Sequence, residues 1–183
     1  MRVITGSARG RNLITVPGED IVRPTPQRVK EAIFSSIQFD IEGRKVLDLF
    51  AGCGQLGIEA LSRGAKSAVF VDASDISLNV VKQNLSNTKL DGAAKTVRSD
   101  YAAFLASNKE KFDIAFLDPP YGSGLLLNAL EGVTETMSEY GSIFCEHPAD
   151  VVLPDNAGDF AAYKNYRFGR IMITVYRKRG SFD

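Results

Sequence analysis

The stretch KVLDLFAGCGQLGIEAL, residues 45–61, decides the fold. KVLDLF reads as a buried strand, AGCGQLG as a glycine-rich turn, and IEAL as part of a helix. Gly52 and Gly54 let the backbone turn tightly and approach a ligand with no Cβ in the way, and Gly57 allows close helix–strand packing. Downstream the alternation continues. SAVFVD (67–72) is a second strand, and residues 75–87 form a helix with Ser74 or Asp75 available as N-cap. AKTVRS (94–99) is a third strand and YAAFLAS (101–107) a short helix. FDIAFLD (112–118) is a fourth strand, residues 125–137 a helix, and GSIFCE (141–146) a fifth strand.

Strands that alternate with helices specify a parallel sheet covered on both faces. The tail departs from this rule, because FAAYKNYRFGRIMITVYRK (160–178) reads as two strands around Phe168-Gly169 with no helix between them. A parallel α/β sheet that ends in an antiparallel hairpin is the shape of a Rossmann-like, class I methyltransferase, whereas dinucleotide dehydrogenases finish fully parallel. The expectation is therefore an α/β fold with a seven-stranded mixed sheet. Upstream, residues 2–5 and 12–16 are short β-rich segments around GSARGR, which predicts an N-terminal β-hairpin, and RPTP (23–26) breaks the chain before a helix over 27–37. One domain is expected over 1–183, with an extension at 1–38 and a catalytic core at 44–183.

Of the 183 residues, 44% are apolar and 24% charged, the balance of an ordinary globular protein. No apolar run reaches the length of a membrane helix, and MRVITGSARGR has no apolar core of a signal peptide. The two cysteines, Cys53 and Cys145, have neither a disulfide framework nor a metal-ligand spacing. A cytoplasmic monomer without metal is the default expectation. The net charge is zero, yet residues 1–30 carry six bases against two acids, residues 164–179 six bases and no acid, and residues 91–159 twelve acids and four bases. If the two basic ends meet, they make a face suited to a phosphate backbone. Equally, they are edge strands that carry Lys and Arg against aggregation.

Two constellations carry the chemistry. In the first, Asp72 follows Gly52 by 20 residues, at the end of the second strand, where an acid accepts hydrogen bonds from ribose hydroxyls. With Gly52, Gly54 and Gly57 this points to an adenosine-containing ligand, and leaves NAD and S-adenosylmethionine both open. Asp48 favours S-adenosylmethionine, since an acid ahead of the glycines suits a cationic amino-acid moiety and would repel a pyrophosphate. Asp100 either covers the adenine amino group or caps a helix.

In the second, Asp118-Pro119-Pro120-Tyr121 ends the fourth strand, at the carboxyl edge where ligands bind in such sheets. An exocyclic amine on a purine is a poor nucleophile because its lone pair is delocalised into the ring. The Asp118 carboxylate and the Pro119 carbonyl can accept its hydrogens and hold the nitrogen in line with an activated methyl group. Pro119 and Pro120 fix φ and stiffen the loop, and Tyr121 offers a flat face for an unstacked base. Three further residues invite chemistry and read more simply as structural: His147, Cys53 in the glycine turn, and Glu146 at the end of the fifth strand.

The chain resembles the RsmD-type 16S rRNA guanine-N2 methyltransferases over nearly its whole length. The resemblance rests on ITGSARGR, RPTPQRVKEAIF, LDLFAGCGQLGIEALSRGA, FVDAS, FLDPPYGSGL and the closing basic hairpin. RPT-x-x-R-V-x-E-x-x-F is its most specific part. The chain differs from the family's usual pattern in having Ser35 for Asn, Asp72 for Glu, and Gly6-Ser7-Ala8 for paired glycines and a tryptophan. The resemblance implies S-adenosylmethionine as cofactor and rRNA as partner, free or within a partly assembled small subunit. It also implies that the N-terminal hairpin and the Arg23-to-Phe34 segment close the cofactor site and touch RNA, which makes Arg9, Arg11, Arg23 and Arg28 candidates for phosphate contacts. The rival readings are a DNA adenine-N6 methyltransferase, for whose target-reading region 183 residues leave no room, an NAD-dependent oxidoreductase, and a non-catalytic RNA-binding protein.

Overall fold

The computed structural model describes residues 1–18 and 25–180. One eight-stranded sheet runs through it, in the order β3-β2-β1-β4-β5-β8-β7-β6. Its parallel part is β1 (Lys45–Asp48), β2 (Ser67–Asp72), β3 (Ala94–Arg98), β4 (Phe112–Leu117) and β5 (Met137–Pro148). β6 (Asn156–Ala157), β7 (Phe160–Phe168) and β8 (Ile171–Lys178) are added antiparallel. The helices are α1 (Gln27–Ser36), α2 (Gln55–Ser62), α3 (Asp75–Thr88), α4 (Tyr101–Ser107) and α5 (Leu125–Thr134). The Rossmann-like methyltransferase architecture expected from the sequence is present, with one strand more than expected. That strand, β6, is only two residues long and pairs Ala157 with Phe160, too short to leave a period in the sequence.

The central strands are apolar on both faces because both faces are covered. Along β4, Ile114 and Phe116 join the core under α1, α2 and α3, while Ala115 and Leu117 join the one under α4 and α5. Phe116 packs between the rings of Phe34 and Phe144, with centroids 5.6 and 5.7 Å away. Gly57 meets its expectation, since a Cβ there would lie 2.3 Å from the Phe70 ring, so any larger residue would push α2 off β2.

Two boundaries differ from the sequence reading. The helix expected over 125–137 stops at Thr134, and Met137 already belongs to β5. The hydroxyls of Thr134 and Thr136 donate to the carbonyls of Glu131 and Val133 in the last turn, and Met137 is buried opposite Phe112. The N-terminal hairpin exists as a chain reversal, but its ladder is a single bridge between Arg2 and Asn12. A few backbone bonds join its two arms, such as Val3 N–H to the Arg11 carbonyl and Leu13 N–H to the Met1 carbonyl, and other backbone groups bond to helices. Ile4 and Thr5 donate to the Glu59 carboxylate at 2.8 and 3.0 Å, and Ile14 exchanges two bonds with the Asn84 side chain. Glu59 is fully buried and also meets Lys30 at 3.3 Å and Arg63 at 2.8 Å. Two cations and two backbone donors make that burial tolerable. Among the described residues no helix is long and apolar enough to cross a membrane.

Candidate active site

The site forms at the carboxyl edge of the sheet, where β1, β2, β4 and β5 end side by side. Asp48 pairs in register with Phe70 on one side and Phe116 on the other. The pairing of Leu117 with Cys145 carries forward to the next residues, Asp118 and Glu146, and so sets two acids on neighbouring strands.

The first half of the site is the glycine turn. Ala51 donates to the Val71 carbonyl at 3.0 Å, Gly54 donates to Ala51 at 2.7 Å, and the chain enters α2. Gly52 and Gly54 hold φ of 53° and 80°, left-handed values that L side chains rarely adopt. The Asp48 carboxylate is buried beneath the turn and accepts the Gly57 N–H at 2.9 Å. Burial pushes its carboxyl up to about 7; the Gly57 bond opposes the rise and the Asp72 charge adds to it. Asp72 takes a backbone N–H on each oxygen, from Gly52 at 2.9 Å and from Ser74 at 2.8 Å. Those bonds orient the carboxylate, and each oxygen keeps a lone pair for a ligand hydroxyl. Gln55 was not singled out by the sequence reading. It opens α2, is buried, and among the described residues its Oε1 has no hydrogen-bond partner. A polar residue in an otherwise apolar helix entry was the signal available. Asp100 is the N-cap of α4, accepting the Ala103 N–H at 2.9 Å, so the capping alternative is realised.

The second half is the loop after β4. Asp118 is half-buried, Pro119 buried, and Tyr121 half exposed at 50%. The Tyr121 hydroxyl donates to Glu146 Oε1 at 3.2 Å. Thr25, two residues ahead of α1, reaches Glu146 Oε2 at 2.9 Å and Asp118 Oδ2 at 3.3 Å with its hydroxyl. Thus one hydroxyl spans two carboxylates. Burial raises the Glu146 carboxyl above its ordinary range, and the bonds from Thr25 and Tyr121 oppose that rise. The Tyr121 phenol is pushed up by desolvation and then by the charges of Glu146 and Asp118, so it stays protonated and donates. Glu146 is therefore part of the site, more than its sequence position suggested.

The remaining candidates divide. His147 is buried, with Nε2 2.8 Å from the Thr174 hydroxyl and Nδ1 2.9 Å from the Pro148 carbonyl, and burial holds its pKa down, which suits packing. Cys53 packs with Val16 and Val80 as a small spacer. Arg28 is exposed in the first turn of α1, three residues past Thr25. Arg9 and Arg11 do not come to the site. The reversal that carries them bonds the trailing ends of α2 and α3, with Ser7 donating to the Ser62 carbonyl and Arg11 to the Asn87 carbonyl. Both helices start at the carboxyl edge and run away from it. Arg23 lies outside the described residues. The sequence reading counted Arg167 and Arg170 only in a basic tail, but they are exposed around the β7–β8 turn, where Ala149, just past the end of β5, bonds the Arg170 carbonyl.

The family model described as conserved hypothetical protein 95 matches residues 1–177. The chain is 40% identical over 185 residues to a Bacillus subtilis (strain 168) protein named as a candidate rRNA methyltransferase, YlbH, covering 98% of this chain and all of that one. It is 33% identical over 181 residues to ribosomal RNA small subunit methyltransferase D of Escherichia coli (strain K12), covering 97% and 90%. Among solved structures, a candidate methyltransferase of Escherichia coli, yhhF, superposes with a TM-score of 0.87 at 30% identity, over 97% of each chain.

Proposed function

The chain belongs to the conserved hypothetical protein 95 family, that of the small-subunit rRNA methyltransferase D proteins, and on that premise we propose that it methylates the exocyclic N2 of a guanine in 16S rRNA. The observation that carries this reading is the pairing of Asp118-Pro119-Pro120-Tyr121 with the glycine turn on adjacent strands of one sheet edge. When bound, S-adenosylmethionine supplies an electrophilic methyl group on a sulfonium.

The residues around the turn fit that donor. Asp48, buried and ahead of the glycines, is the counter-charge for a cationic amino-acid moiety. Asp72 offers oriented oxygens to ribose hydroxyls. The partnerless Gln55 Oε1 is an acceptor that the protein itself leaves unused among the described residues. Asp100 keeps one carboxylate oxygen in the α4 cap and offers the other to the adenine amino group.

On the other side, the Asp118 carboxylate and the Pro119 carbonyl accept the two amine hydrogens. They hold the nitrogen lone pair toward the methyl group instead of into the ring, which is catalysis by orientation. Pro119 and Pro120 restrict the backbone that bears these acceptors. The half-exposed Tyr121 ring gives the base a stacking face at the mouth. Arg28, Arg167 and Arg170 are the exposed cations assigned to RNA phosphates.

The test is transfer of a labelled methyl group from S-adenosylmethionine to protein-free small-subunit rRNA, to assembled subunits and to duplex DNA, with Asp118→Ala beside the wild type. Label recovered as N2-methylguanine from RNA, and absent with the variant, supports the reading. Label in adenine of DNA, or none in any substrate despite cofactor binding, overturns it. The comparison of rRNA with subunits also reads whether the target must be presented by a partly assembled particle.

A further inference from the structure

Glu146 is a buried acid that the reaction as derived does not use, and its bonds are unusual for such a group. It is 6% exposed, and among the described residues its two oxygens receive hydroxyls, from Tyr121 and Thr25, with no cation against them. A buried carboxylate without a cation costs stability that an apolar residue of similar size would not, so its retention calls for a job in the site. The loop beside it shows what that job is. Gly122 and Gly124 hold φ of 75° and 70° with open space around them, and among the described residues the loop's backbone-to-backbone closure is Ser123 donating to Pro120 at 3.3 Å. Among the described residues, the Tyr121 hydroxyl on Glu146 is the side-chain hydrogen bond that ties residues 119–124 to the sheet, and the Ser123 hydroxyl oxygen accepts only from the adjoining Leu125 N–H at the start of α5.

We propose that Glu146 is a positioning residue, which anchors the Tyr121 ring by its hydroxyl and, through Thr25, ties Asp118 to the start of α1, so that stacking face and amine acceptor keep one fixed relation. The proposal rests on the reading that this loop binds the target amine. Glu146 itself touches neither the base nor the methyl donor. Its two acceptor oxygens serve two donors, and a glutamine there can serve only one of them.

The test is a double-mutant cycle on whichever nucleic acid the wild type methylates, so the identity of the product judges the substrate reading and the cycle judges Glu146. Glu146→Ala is expected to lower kcat roughly 10- to 100-fold, the effect of a reacting group held out of place. The Kd for S-adenosylhomocysteine stays within about twofold, because the glycine turn is untouched. Tyr121→Phe keeps the ring but releases it and lowers kcat by a smaller factor, and the double variant falls no further than Glu146→Ala alone. Glu146→Gln, which retains one acceptor, recovers part of the loss. Wild-type kcat in Glu146→Ala, full additivity in the double variant, or a loss of cofactor affinity as large as the loss of kcat would each overturn the proposal.

Discussion

The Asp48 carboxyl titrates near pH 7 because it is buried beneath the glycine turn, and this makes cofactor affinity depend on pH in a definite direction. A cationic amino-acid moiety binds the carboxylate and not the neutral acid, so binding below about pH 7 must expel a proton. The sign follows: affinity rises with pH and levels off above about 7. With a pKa of about 7 the ionised fraction at pH 5.5 is roughly 3%, so affinity should fall roughly 30-fold between pH 8 and 5.5. Asp48→Asn removes the slope and leaves affinity at a uniformly low value. The same substitution acts oppositely on folding. A carboxyl raised from 3.8 to about 7 gives its full stability below the lower value and loses it as pH rises through the upper one. Asp48→Asn, whose amide oxygen can still accept the Gly57 N–H, should therefore match the wild type at pH 4 and exceed it at pH 8 by on the order of 4 kcal/mol as an upper bound. Calorimetric titration with S-adenosylhomocysteine in buffers of different protonation enthalpy measures the affinity and the proton together, and urea unfolding at the two pH values measures stability. A wild-type affinity that is flat from pH 5.5 to 8, or a slope that survives in Asp48→Asn, would refute the reasoning.

Three other sets of substitutions test separate parts of the structure. Gln55→Leu is expected to weaken cofactor binding about tenfold, since a lost hydrogen bond to a ligand is worth roughly 1–2 kcal/mol, while the melting temperature holds or rises; unchanged affinity in the same titration would remove Gln55 from the site. Arg28, Arg167 and Arg170, changed singly to Ala, should each reduce the salt slope of RNA binding by roughly 0.7, and Arg9→Ala and Arg11→Ala should leave it alone; the reverse pattern, read by filter binding from 50 to 300 mM salt, would put the RNA on the far side of the helices. Glu59→Gln should destabilise by roughly 3–5 kcal/mol in urea unfolding, because it strands Lys30 in the core, and a loss below 1 kcal/mol would show that Lys30 sheds its proton instead, the direction in which burial already drives it.

The sequence made the parallel core legible because β1, β2 and β4 are buried on both faces, so apolar runs and glycine turns are direct images of the packing. Gly57 and Asp72 were legible for a similar reason, each answering to a neighbour less than twenty-one residues away. Features set by distant partners stayed hidden. The hairpin strands at 2–5 and 12–16 have β-rich composition, but Glu59 and Asn84 take up the backbone groups of Ile4, Thr5 and Ile14, and nothing local announces that. Glu146 entered the site through the register between β4 and β5, which residues 141–146 cannot reveal by themselves. The arginines show the limit most clearly: their number can be read from the sequence, but Arg11 at the trailing end of α3 and Arg170 beside the end of β5 are told apart only by the path of the chain.

The docking of residues 1–18 on Glu59, Ser62, Asn84 and Asn87 also has a consequence for synthesis. These four residues bond the segment from 54 to 76 residues further along the chain, whereas Lys30, which donates to the Arg2 carbonyl, is only 28 away. At about 5–20 residues per second, a ribosome needs roughly 3–15 s after making the first hairpin residues to deliver those partners. Through that interval Val3, Ala8 and Leu13 lack the part of their core that α2 and α3 supply. The segment is thus made before the helices that hold it and settles after them, closing over helices already in place instead of helping to nucleate them.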